Sequence, residues 1–430
     1  MTARLAILGA GAKAVAVAAK AATLRDMGVA TPEIVAVERT SVAANWRAGG
    51  GWTDGQHRLG TSPEKDVGFP YRSAILPGRN GELDQRMMRL SWQSYLVATG
   101  RFAEWVDRGQ PAPTHHRWAG YLRWVADAVR LNVVAGEVIR LSLDGPSWVL
   151  HTNTGTVEAD AVMITGPGQP GQSVLPGHPQ VLSIAQFWQV ATERGAIDAE
   201  RVAVIGGGET AAAMLNELFR HRVSTITVIS PQATLFTRGE SYFENRMFSD
   251  PTDWAGLTLA ERRDVMARTD RGVFSARVQD SLLADDRIRH LRGRVAHGVA
   301  AAGDRIRITL HTDRHGERLE TVHGFDLVID GSGAESLWFL PLLGQDVLDL
   351  LEVRLNGPLT SDRLQQAIGD NLALAGVAPT LFLPNLSGLN HGPGFPNLSC
   401  LGLLSDRILG ARPGADRTQM NGSHVEYQPI

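Results

Sequence analysis

The sequence has almost no cysteine, since Cys400 is the only one among its 430 residues. A disulfide framework within the chain is therefore impossible, and a metal site built from several cysteines is equally excluded. Such a composition is typical of proteins from a reducing compartment.

Long uncharged apolar runs are also missing. No run reaches the roughly 18 residues that a membrane-spanning helix needs. Lys13 and Lys20 interrupt the apolar stretch near the N-terminus, which does not fit the uncharged centre of a signal peptide. We therefore expect no membrane segment and predict a cytoplasmic protein.

Neither sign of charge is in excess, because 42 basic residues face 45 acidic ones and the formal net charge is -3. This balance gives no reason to predict a nucleic-acid or membrane-surface partner. With 43% hydrophobic residues the chain can bury large cores. Its length predicts two or three domains.

What the sequence does have is a glycine turn near its start. Leu5–Leu8 is a short apolar run typical of a buried parallel strand, and the turn Gly9-Ala-Gly11-Ala-Lys-Ala14 follows it before an alanine-rich helical segment. In such a turn the first glycine permits the bend, the second lets a pyrophosphate approach the backbone, and Ala14 lets helix and strand pack closely. Residues 34–38 form a second apolar run that ends in Glu38, where a carboxylate would bind an adenosine ribose.

The same pattern recurs in the middle of the chain. Residues 201–211 again predict a strand, a turn with Gly206 and Gly208, and a helix. The following strand, residues 225–230, ends in Ser230 rather than in an acid. A carboxylate there would repel a 2′-phosphate, so its absence favours NADPH over NADH. Arg222 and Arg238 are the cations that we expect near this phosphate.

A third strand-to-glycine element, residues 326–333, repeats the pattern of residues 160–166. The simplest topology is nested, and the predicted fold is α/β with two Rossmann-like dinucleotide-binding domains, the NADPH domain inserted in the FAD domain. The predicted units are an FAD-binding part at 1–168, an NADPH-binding domain at 169–324, a return to the FAD domain at 325–411, and a flexible tail at 412–430.

Two nucleotide sites, one with an acid and one without, indicate FAD plus NADPH. A disulfide reductase would need a cysteine pair beside the flavin, which one cysteine cannot provide. Oxygen is then the most available electron acceptor, which favours a monooxygenase. The alternatives are an S- or C-oxygenating flavin monooxygenase and a non-oxygenating flavin reductase.

Three longer motifs carry a resemblance to a known family over nearly the whole chain: Ala10-Gly-Ala-Lys-Ala-Val-Ala-Val-Ala-Ala-Lys20, Gly60-Thr-Ser-Pro-Glu-Lys-Asp-Val-Gly-Phe-Pro-Tyr71 and Gly394-Phe-Pro-Asn-Leu-Ser-Cys-Leu-Gly-Leu-Leu-Ser405. With them the chain resembles the class B flavin-dependent N-hydroxylating monooxygenases, the lysine and ornithine N-hydroxylases of siderophore biosynthesis. Within that family it is most similar to the lysine N6-hydroxylating members of mycobactin-type pathways. The resemblance implies an enzyme that binds a small lysine-derived substrate and O2, and a homo-oligomer.

The resemblance also implies site residues. Lys65, in Thr61-Ser62-x-x-Lys65-Asp66, would hold the substrate carboxylate. Asn245 and the pair Thr269-Asp270 would lie at the side-chain amine, and Ser399, in the segment that begins at His391-Gly392, near the carboxylate. The flavin carries the chemistry, so no catalytic side chain and no metal ligand is predicted. The predicted cofactor-binding residues are Gly9, Gly11, Lys13, Ala14, Glu38, Trp46, Asn397, Gly206, Gly208, Glu209, Thr210, Ser230 and Arg238.

The chain departs from the family pattern in places. Asp270 replaces an asparagine, Glu209 a glutamine, and Asp330-Gly-Ser-Gly333 an Ala-Thr-Gly-Tyr sequence. Plainer roles stay open for the substrate-site residues: a solvated loop lysine for Lys65, a turn former for Asn245, helix caps for Asp270 and Ser399, and a packing residue for His391. Whether the substrate is free or N6-acylated lysine also stays open.

Overall fold

The computed structural model describes residues 3–166, 168, 173–193, 197–301, 305–314 and 316–410. The predicted tail, residues 412–430, lies outside the described residues. The described residues form these strands, numbered in chain order: β1 (Arg4–Leu8), β2 (Glu33–Glu38), β3 (Asn132–Ala135), β4 (Val138–Asp144), β5 (Ser147–Thr152), β6 (Gly155–Ala159), β7 (Ala161–Ile164), β8 (Val181–Ser183), β9 (Asp198–Ile205), β10 (Arg222–Ser230), β11 (Phe236–Thr237), β12 (Val273–Phe274), β13 (Ile288–Arg292), β14 (Arg294–Ala301), β15 (Arg305–Arg314), β16 (Glu317–Phe325), β17 (Leu327–Asp330) and β18 (Thr380–Phe382).

The α-helices lie between and after these strands. In chain order they are α1 (Ala12–Asp26), α2 (Asn80–Met87), α3 (Trp92–Ala98), α4 (Phe102–Asp107), α5 (His115–Ala128), α6 (Ile184–Glu193), α7 (Glu209–Leu218), α8 (Tyr242–Ser249), α9 (Leu259–Thr269), α10 (Ala276–Leu283), α11 (Gln345–Arg354), α12 (Ser361–Ala367), α13 (Gly388–His391) and α14 (Leu401–Leu409). Single 3₁₀ turns occupy Ala44–Trp46, Met88–Leu90, Thr252–Gly256, Leu340–Leu342 and Pro384–Leu386.

A parallel sheet with the strand order β18-β7-β1-β2-β3 forms the first Rossmann-like unit. Its central strand β1 is buried on both faces. Leu5 and Ile7 face the cluster that contains Ala14 of α1, whereas Ala6 and Leu8 face the cluster that contains Trp148 of the antiparallel sheet β4-β5-β6. Burial on both faces explains why β1 is continuously apolar rather than alternating.

A second parallel sheet has the order β13-β10-β9-β17-β8. Helix α7 packs on one face of it, and the antiparallel sheet β14-β15-β16 packs on the other. The α/β fold class with two such sheets is confirmed by this topology.

The predicted return to the first unit at residue 325 is wrong in one respect. Residues Leu327–Asp330 pair in parallel with β9 and β8, so they belong to the second sheet. The pattern of an apolar strand before glycine is the same in β7 and β17, so the sequence could not say which sheet each strand joins. The other predicted boundaries stay predictions.

A buried ion pair joins helix α1 to helix α14, although the two helices are far apart in the sequence. Nζ of Lys20 lies 2.7 Å from Oδ1 of Asp406 in α14, and both side chains are buried. The same ammonium donates to Ser73 Oγ at 2.7 Å, and Ser73 in turn donates to Asp84 of α2 at 2.6 Å. Such a network holds α1, α2 and α14 in one arrangement, because each buried charge requires its partner.

In the ranges that the structure describes, no helix is both long enough and apolar enough to cross a membrane.

Candidate active site

One cavity of about 1050 Å³ brings most of the predicted site residues together. The predicted residues that line it are Gly9, Gly11, Lys13, Glu38, Trp46, Lys65, Glu209, Thr210, Arg238, Asn245, Asp270, Asn397 and Ser399. Ala14, Gly206, Gly208 and Ser230 do not line it. Residues from both Rossmann-like units therefore border the same space.

In the first glycine turn, the backbone conformation requires a glycine at position 9 but not at position 11. Gly9 has a φ of +89°, and a Cβ there would lie 3.1 Å from Oγ1 of Thr165. Gly11 has an ordinary φ of -82°, and a Cβ there would meet no atom within 4 Å. Neither strain nor packing explains Gly11, so the open space beside it fits a ligand that approaches the backbone at the start of α1.

Glu38 ends β2 at the wall of the cavity. Its carboxylate accepts hydrogen bonds from the backbone N–H groups of Ala10 at 3.0 Å and Thr40 at 2.9 Å. These contacts hold the carboxylate beside the glycine turn, where a ribose of a dinucleotide is expected.

Trp46 lines the cavity next to two histidines that the sequence did not single out. Its ring meets that of His115 edge to face at 4.9 Å between centroids, and His57 lies 5.2 Å beyond His115. Burial lowers the pKa of His57 to about 4 and that of His115 to about 3, so both rings are neutral at pH 7. They lie 58 positions apart in the sequence, and no local pattern connects them.

Lys65 reaches the cavity from a loop that is fixed by its neighbour Asp66. The buried Asp66 carboxylate accepts from the Trp92 N–H at 2.8 Å, from the Gly68 N–H at 3.1 Å and from the Tyr71 hydroxyl at 2.7 Å. These bonds keep the loop rigid and leave Lys65 to point into the cavity. Burial and nearby Arg238 hold the pKa of Lys65 below its usual value.

Asn245 and Asp270 border the cavity from the second half of the chain. Asn245 lies in α8 rather than in a turn, and its amide donates to Glu240 O at 2.7 Å. Asp270 directly follows α9, and its carboxylate pairs with Arg271 at 3.2 Å. Burial raises the pKa of Asp270. Thr269 also lines the cavity, and its hydroxyl donates to Val265 O within the helix at 2.6 Å.

The segment before α14 supplies Asn397 and Ser399. The Asn397 side chain accepts from the Ser399 N–H at 2.8 Å and donates to Pro393 O at 3.0 Å, which closes the turn. Ser399 makes no side-chain cap on α14, so that plainer role is not observed. His391 does not line the cavity and bonds Ile368 O at 2.8 Å, as expected for a packing residue.

The second glycine turn is shaped by the backbone of its own unit. Gly206 has a φ of +124°, and a Cβ there would lie 2.5 Å from Gly331 O. Gly208 precedes α7 and has open space beside it except for Gly272 N at 3.9 Å. The first residues of α7, Glu209 and Thr210, line the cavity.

Glu209 and Arg238 form an ion pair at this end of the cavity, at 3.4 Å. The Arg238 guanidinium also pairs with Glu240 at 2.7 Å and donates to Gly60 O. Glu209 accepts from the Ser275 N–H at 2.7 Å, and burial raises its pKa. Two carboxylates therefore hold Arg238 in place within the cavity. Ser230 does not line this cavity.

The predicted role of Arg222 as a partner of a 2′-phosphate is wrong, because Arg222 begins β10 and Ser230 ends it. Eight residues of strand put them about 26 Å apart. At the Ser230 end the structure offers other groups. Arg292 stands in register with Ser230 on the neighbouring strand β13, and His290 bonds Ser230 Oγ at 3.0 Å.

Gln232, two residues after Ser230, carries an unsatisfied polar atom. Its buried Oε1 has no hydrogen-bond partner among the described residues, and a Cβ on Gly207 would lie 3.4 Å from it. A buried acceptor without a donor beside a glycine turn fits a site that a polar ligand completes.

Trp338 is a further wall residue that the sequence did not indicate. Its indole covers Gly168, whose φ is +75° and whose Cβ would lie 2.1 Å from the ring. The only sequence signal was the glycine-rich turn after β7. In the described ranges no group of three or more His, Cys, Asp or Glu residues is placed to hold a metal ion.

Comparison with known sequences gives a consistent result. The family model described as L-lysine 6-monooxygenase/L-ornithine 5-monooxygenase matches residues 87–331. The chain is 72% identical to L-lysine N6-monooxygenase MbtG of Mycobacterium sp. strain MCS, over 100% of both chains. It is 71% identical to L-lysine N6-monooxygenase MbtG of Mycobacterium tuberculosis strain H37Rv over 432 aligned positions, again covering 100% of both chains.

Solved structures with the same architecture are also known. Lysine monooxygenase NbtG from Nocardia farcinica superposes with a TM-score of 0.85 at 52% identity, over 95% of this chain and 100% of that one. The ornithine N-hydroxylase KtzI of Kutzneria sp. 744, in a complex with reduced FAD, NADP⁺ and L-ornithine, gives a TM-score of 0.71 at 19% identity, over 95% of this chain and 98% of that one. The second likeness concerns the fold alone.

Proposed function

The chain belongs to the L-lysine 6-monooxygenase/L-ornithine 5-monooxygenase family, and from this premise we propose that it is an FAD- and NADPH-dependent monooxygenase that hydroxylates the N6 nitrogen of lysine or of an N6-acylated lysine. The product would supply the hydroxamate groups of a mycobactin-type siderophore. One observation carries the proposal: a single cavity borders the Gly11 turn, the start of α7 and the contact between Lys65 and Asn245.

FAD fits the first unit because Gly11 leaves open space at the start of α1 and Glu38 offers a carboxylate beside it. The chemistry that bound FAD supplies is acceptance of a hydride from NADPH and activation of molecular oxygen. The residues of this chain bind the cofactors, orient the substrate and exclude water. Trp46 and the neutral pair His57 and His115 form an aromatic wall that helps to keep the cavity dry.

NADPH fits the second unit, with its pyrophosphate at the start of α7, its nicotinamide end in the cavity that Glu209 and Thr210 line, and its adenosine end at the end of β10. Ser230, Arg292 and the unsatisfied Oε1 of Gln232 are the groups that we assign to the 2′-phosphate and its ribose. Arg292 forms no ion pair with an acid among the described residues, so its charge is available to a phosphate.

The substrate is assigned to the part of the cavity between Lys65 and Asn245. The Lys65 ammonium would bind the substrate carboxylate, and the Asn245 amide would orient the side-chain nitrogen. A free lysine must lose a proton before its nitrogen can attack, and with a pKa of about 10.4 this costs roughly 4–5 kcal/mol at pH 7. The positive charge of Lys65 lowers this cost, because it disfavours a second ammonium nearby.

Asp270 favours the acylated form of the substrate. A carboxylate stabilises a free ammonium in its unreactive charged state, whereas it can accept a hydrogen bond from the N–H of an acylated lysine. Its position on the cavity wall and its raised pKa support a role towards the substrate. The rival role is structural, through the ion pair with Arg271.

Molecular oxygen is the second substrate in this proposal. The single cysteine supports a cytoplasmic location. A homo-oligomer is carried over from the family resemblance, and light scattering on the purified protein tests it.

Oxygen uptake with NADPH, measured with and without lysine and N6-acyl-lysine, tests the proposed function. We expect uptake that substrate stimulates, with one hydroxylated product per NADPH at full coupling. NADPH oxidation by a dye but not by oxygen would identify a flavin reductase instead. Oxygenation of a sulfide or a carbon substrate in preference to lysine would identify the other monooxygenase class.

A further inference from the structure

Helix α1 carries two buried lysines, and only one of them has a counter-charge. Lys20 is paired with Asp406 at 2.7 Å. Lys13, seven residues earlier, is 9% exposed, and its Nζ donates one hydrogen bond, to Pro396 O at 2.6 Å. Among the residues that the structure describes, no carboxylate forms an ion pair with it.

Burial of an ammonium without an anion is strongly unfavourable. Burial accordingly lowers the pKa of Lys13 to about 8. The titratable group that acts on Lys13 is no counter-ion, because burial raises the pKa of the Cys400 thiol to about 12 and keeps it neutral. An uncompensated cation on the wall of a cavity therefore indicates an anionic ligand in the working protein.

Bound FAD has two regions that can be anionic, its pyrophosphate and its reduced flavin ring. The open space at Gly11 and the N–H groups that begin α1 are placed to bind the pyrophosphate. The Lys13 ammonium points elsewhere, to Pro396 O, in the segment whose residues 397–399 line the cavity. Ser399 in this segment is a predicted substrate residue, so the ammonium lies towards the substrate end rather than the Glu38 end.

The geometry points to Lys13 as the counter-charge of the reduced flavin ring, an inference that rests on the proposed binding of FAD. A hydride from NADPH would deliver two electrons and one proton to the neutral oxidised ring, which would gain one negative charge as NADPH becomes NADP⁺. A fixed ammonium beside the ring stabilises this reduced form over the oxidised form, and it raises the reduction potential. Lys13 touches neither oxygen nor substrate in this role.

The test compares FAD affinity in both redox states for Lys13→Met, which removes the charge but keeps the length. We expect the Kd of oxidised FAD to change by less than about threefold. Reduced FAD should bind about tenfold more weakly, which lowers the two-electron midpoint potential by about 30 mV. Lys13→Gln should do the same and can still donate to Pro396 O. Lys13→Arg should keep the wild-type ratio.

The matched control is Arg39→Met, which removes a positive charge from the cavity wall at the Glu38 end and should leave the ratio of the two affinities unchanged. An unchanged potential in both Lys13→Met and Lys13→Gln overturns the inference. An equal loss of affinity for oxidised and reduced FAD also overturns it, since Lys13 would then serve the pyrophosphate or the fold. Absence of FAD binding by the wild-type protein would instead refute the proposed function.

Discussion

Lys65 and Asn245 meet across the cavity, with Nζ of Lys65 3.5 Å from Oδ1 of Asn245 although 180 residues separate them. The two residues are assigned to opposite ends of a lysine substrate. A substrate that uses both must separate them, and the flexible four-carbon stem of Lys65 permits this movement. The contact therefore lies where we propose that the substrate binds.

Replacement of Lys65 by Met should weaken the binding of a substrate with a free carboxylate. The loss of one charge-assisted hydrogen bond should raise KM by about 10- to 100-fold. Flavin reduction by NADPH should stay within about twofold of wild type in stopped-flow measurements. Glu64→Gln is the control, because Glu64 is exposed in the same loop and contacts Gln93 at 2.9 Å. Collapse of flavin reduction in Lys65→Met would assign Lys65 to the cofactor site instead.

Replacement of Asp270 by Asn should shift the preference between substrates. The neutral amide no longer stabilises a free ammonium, so the ratio of kcat/KM values for lysine and N6-acyl-lysine should move towards lysine. Steady-state assays with both substrates measure this ratio. A parallel loss on both, or no change on either, would leave Asp270 with a structural role beside Arg271.

The two glycines of the first turn should respond differently to valine. Gly11→Val should fold normally, since a Cβ at this position meets no protein atom within 4 Å, and should purify without flavin absorbance. Gly9→Val should lower the stability of the apoprotein itself, because of its positive φ and the nearby Thr165. Glu38→Gln should weaken FAD binding by only about 1–2 kcal/mol. Full flavin occupancy in Gly11→Val would remove the FAD site from α1.

Arg292 should decide the preference for NADPH. Arg292→Ala should raise the Kd of 2′,5′-ADP about tenfold in calorimetric titrations and leave the Kd of ADP unchanged, because only the former has a 2′-phosphate. The control is Arg289→Ala, since Arg289 lies on the same strand but an odd number of residues away, on the opposite face. An equal effect of both variants would show that general charge rather than this position matters.

Two buried histidines should each contribute a fall in the stability of the apoprotein as pH is lowered below 6.5. His57 and His115 have pKa values of about 4 and about 3 in the fold, so the unfolded chain binds their protons first. Each contributes up to about 1.4 kcal/mol of lost stability per pH unit. Asp66, whose pKa burial raises to about 6, acts in the opposite direction and offsets about one histidine between pH 6 and 4. Urea unfolding of a His57→Asn/His115→Gln variant should therefore show a flatter decline from pH 6.5 to 4.5, and an equally steep decline would contradict this account.

Local patterns predicted the parts of the fold that local physics determines. Apolar runs before glycine turns located β1, β9 and the helices after them, because burial on both faces and the turn geometry both leave a signature in sequence. No sequence pattern predicted helices α2–α4. They are short, and their stability comes from packing around residues such as Trp92 rather than from a long periodic pattern.

Tertiary placement limited what the sequence could predict about the site. Arg222 is only eight residues from Ser230, but it lies at the opposite end of β10. Arg292 is 62 residues from Ser230 and comes into register through the pairing of β10 with β13. His57, His115 and Trp338 likewise reach the cavity through packing of distant segments. The motifs that identified Lys65, Asn245 and Ser399 came from family resemblance, and the structure brings them to one cavity.

The most direct test of the central claim is mass spectrometry of the product formed from N6-acyl-lysine and from lysine with NADPH under ¹⁸O₂. The account predicts an N6-hydroxylated product that carries one ¹⁸O atom, formed only when FAD, NADPH and oxygen are all present. NADPH oxidation that yields hydrogen peroxide alone from both substrates, with no hydroxylated product, would contradict it.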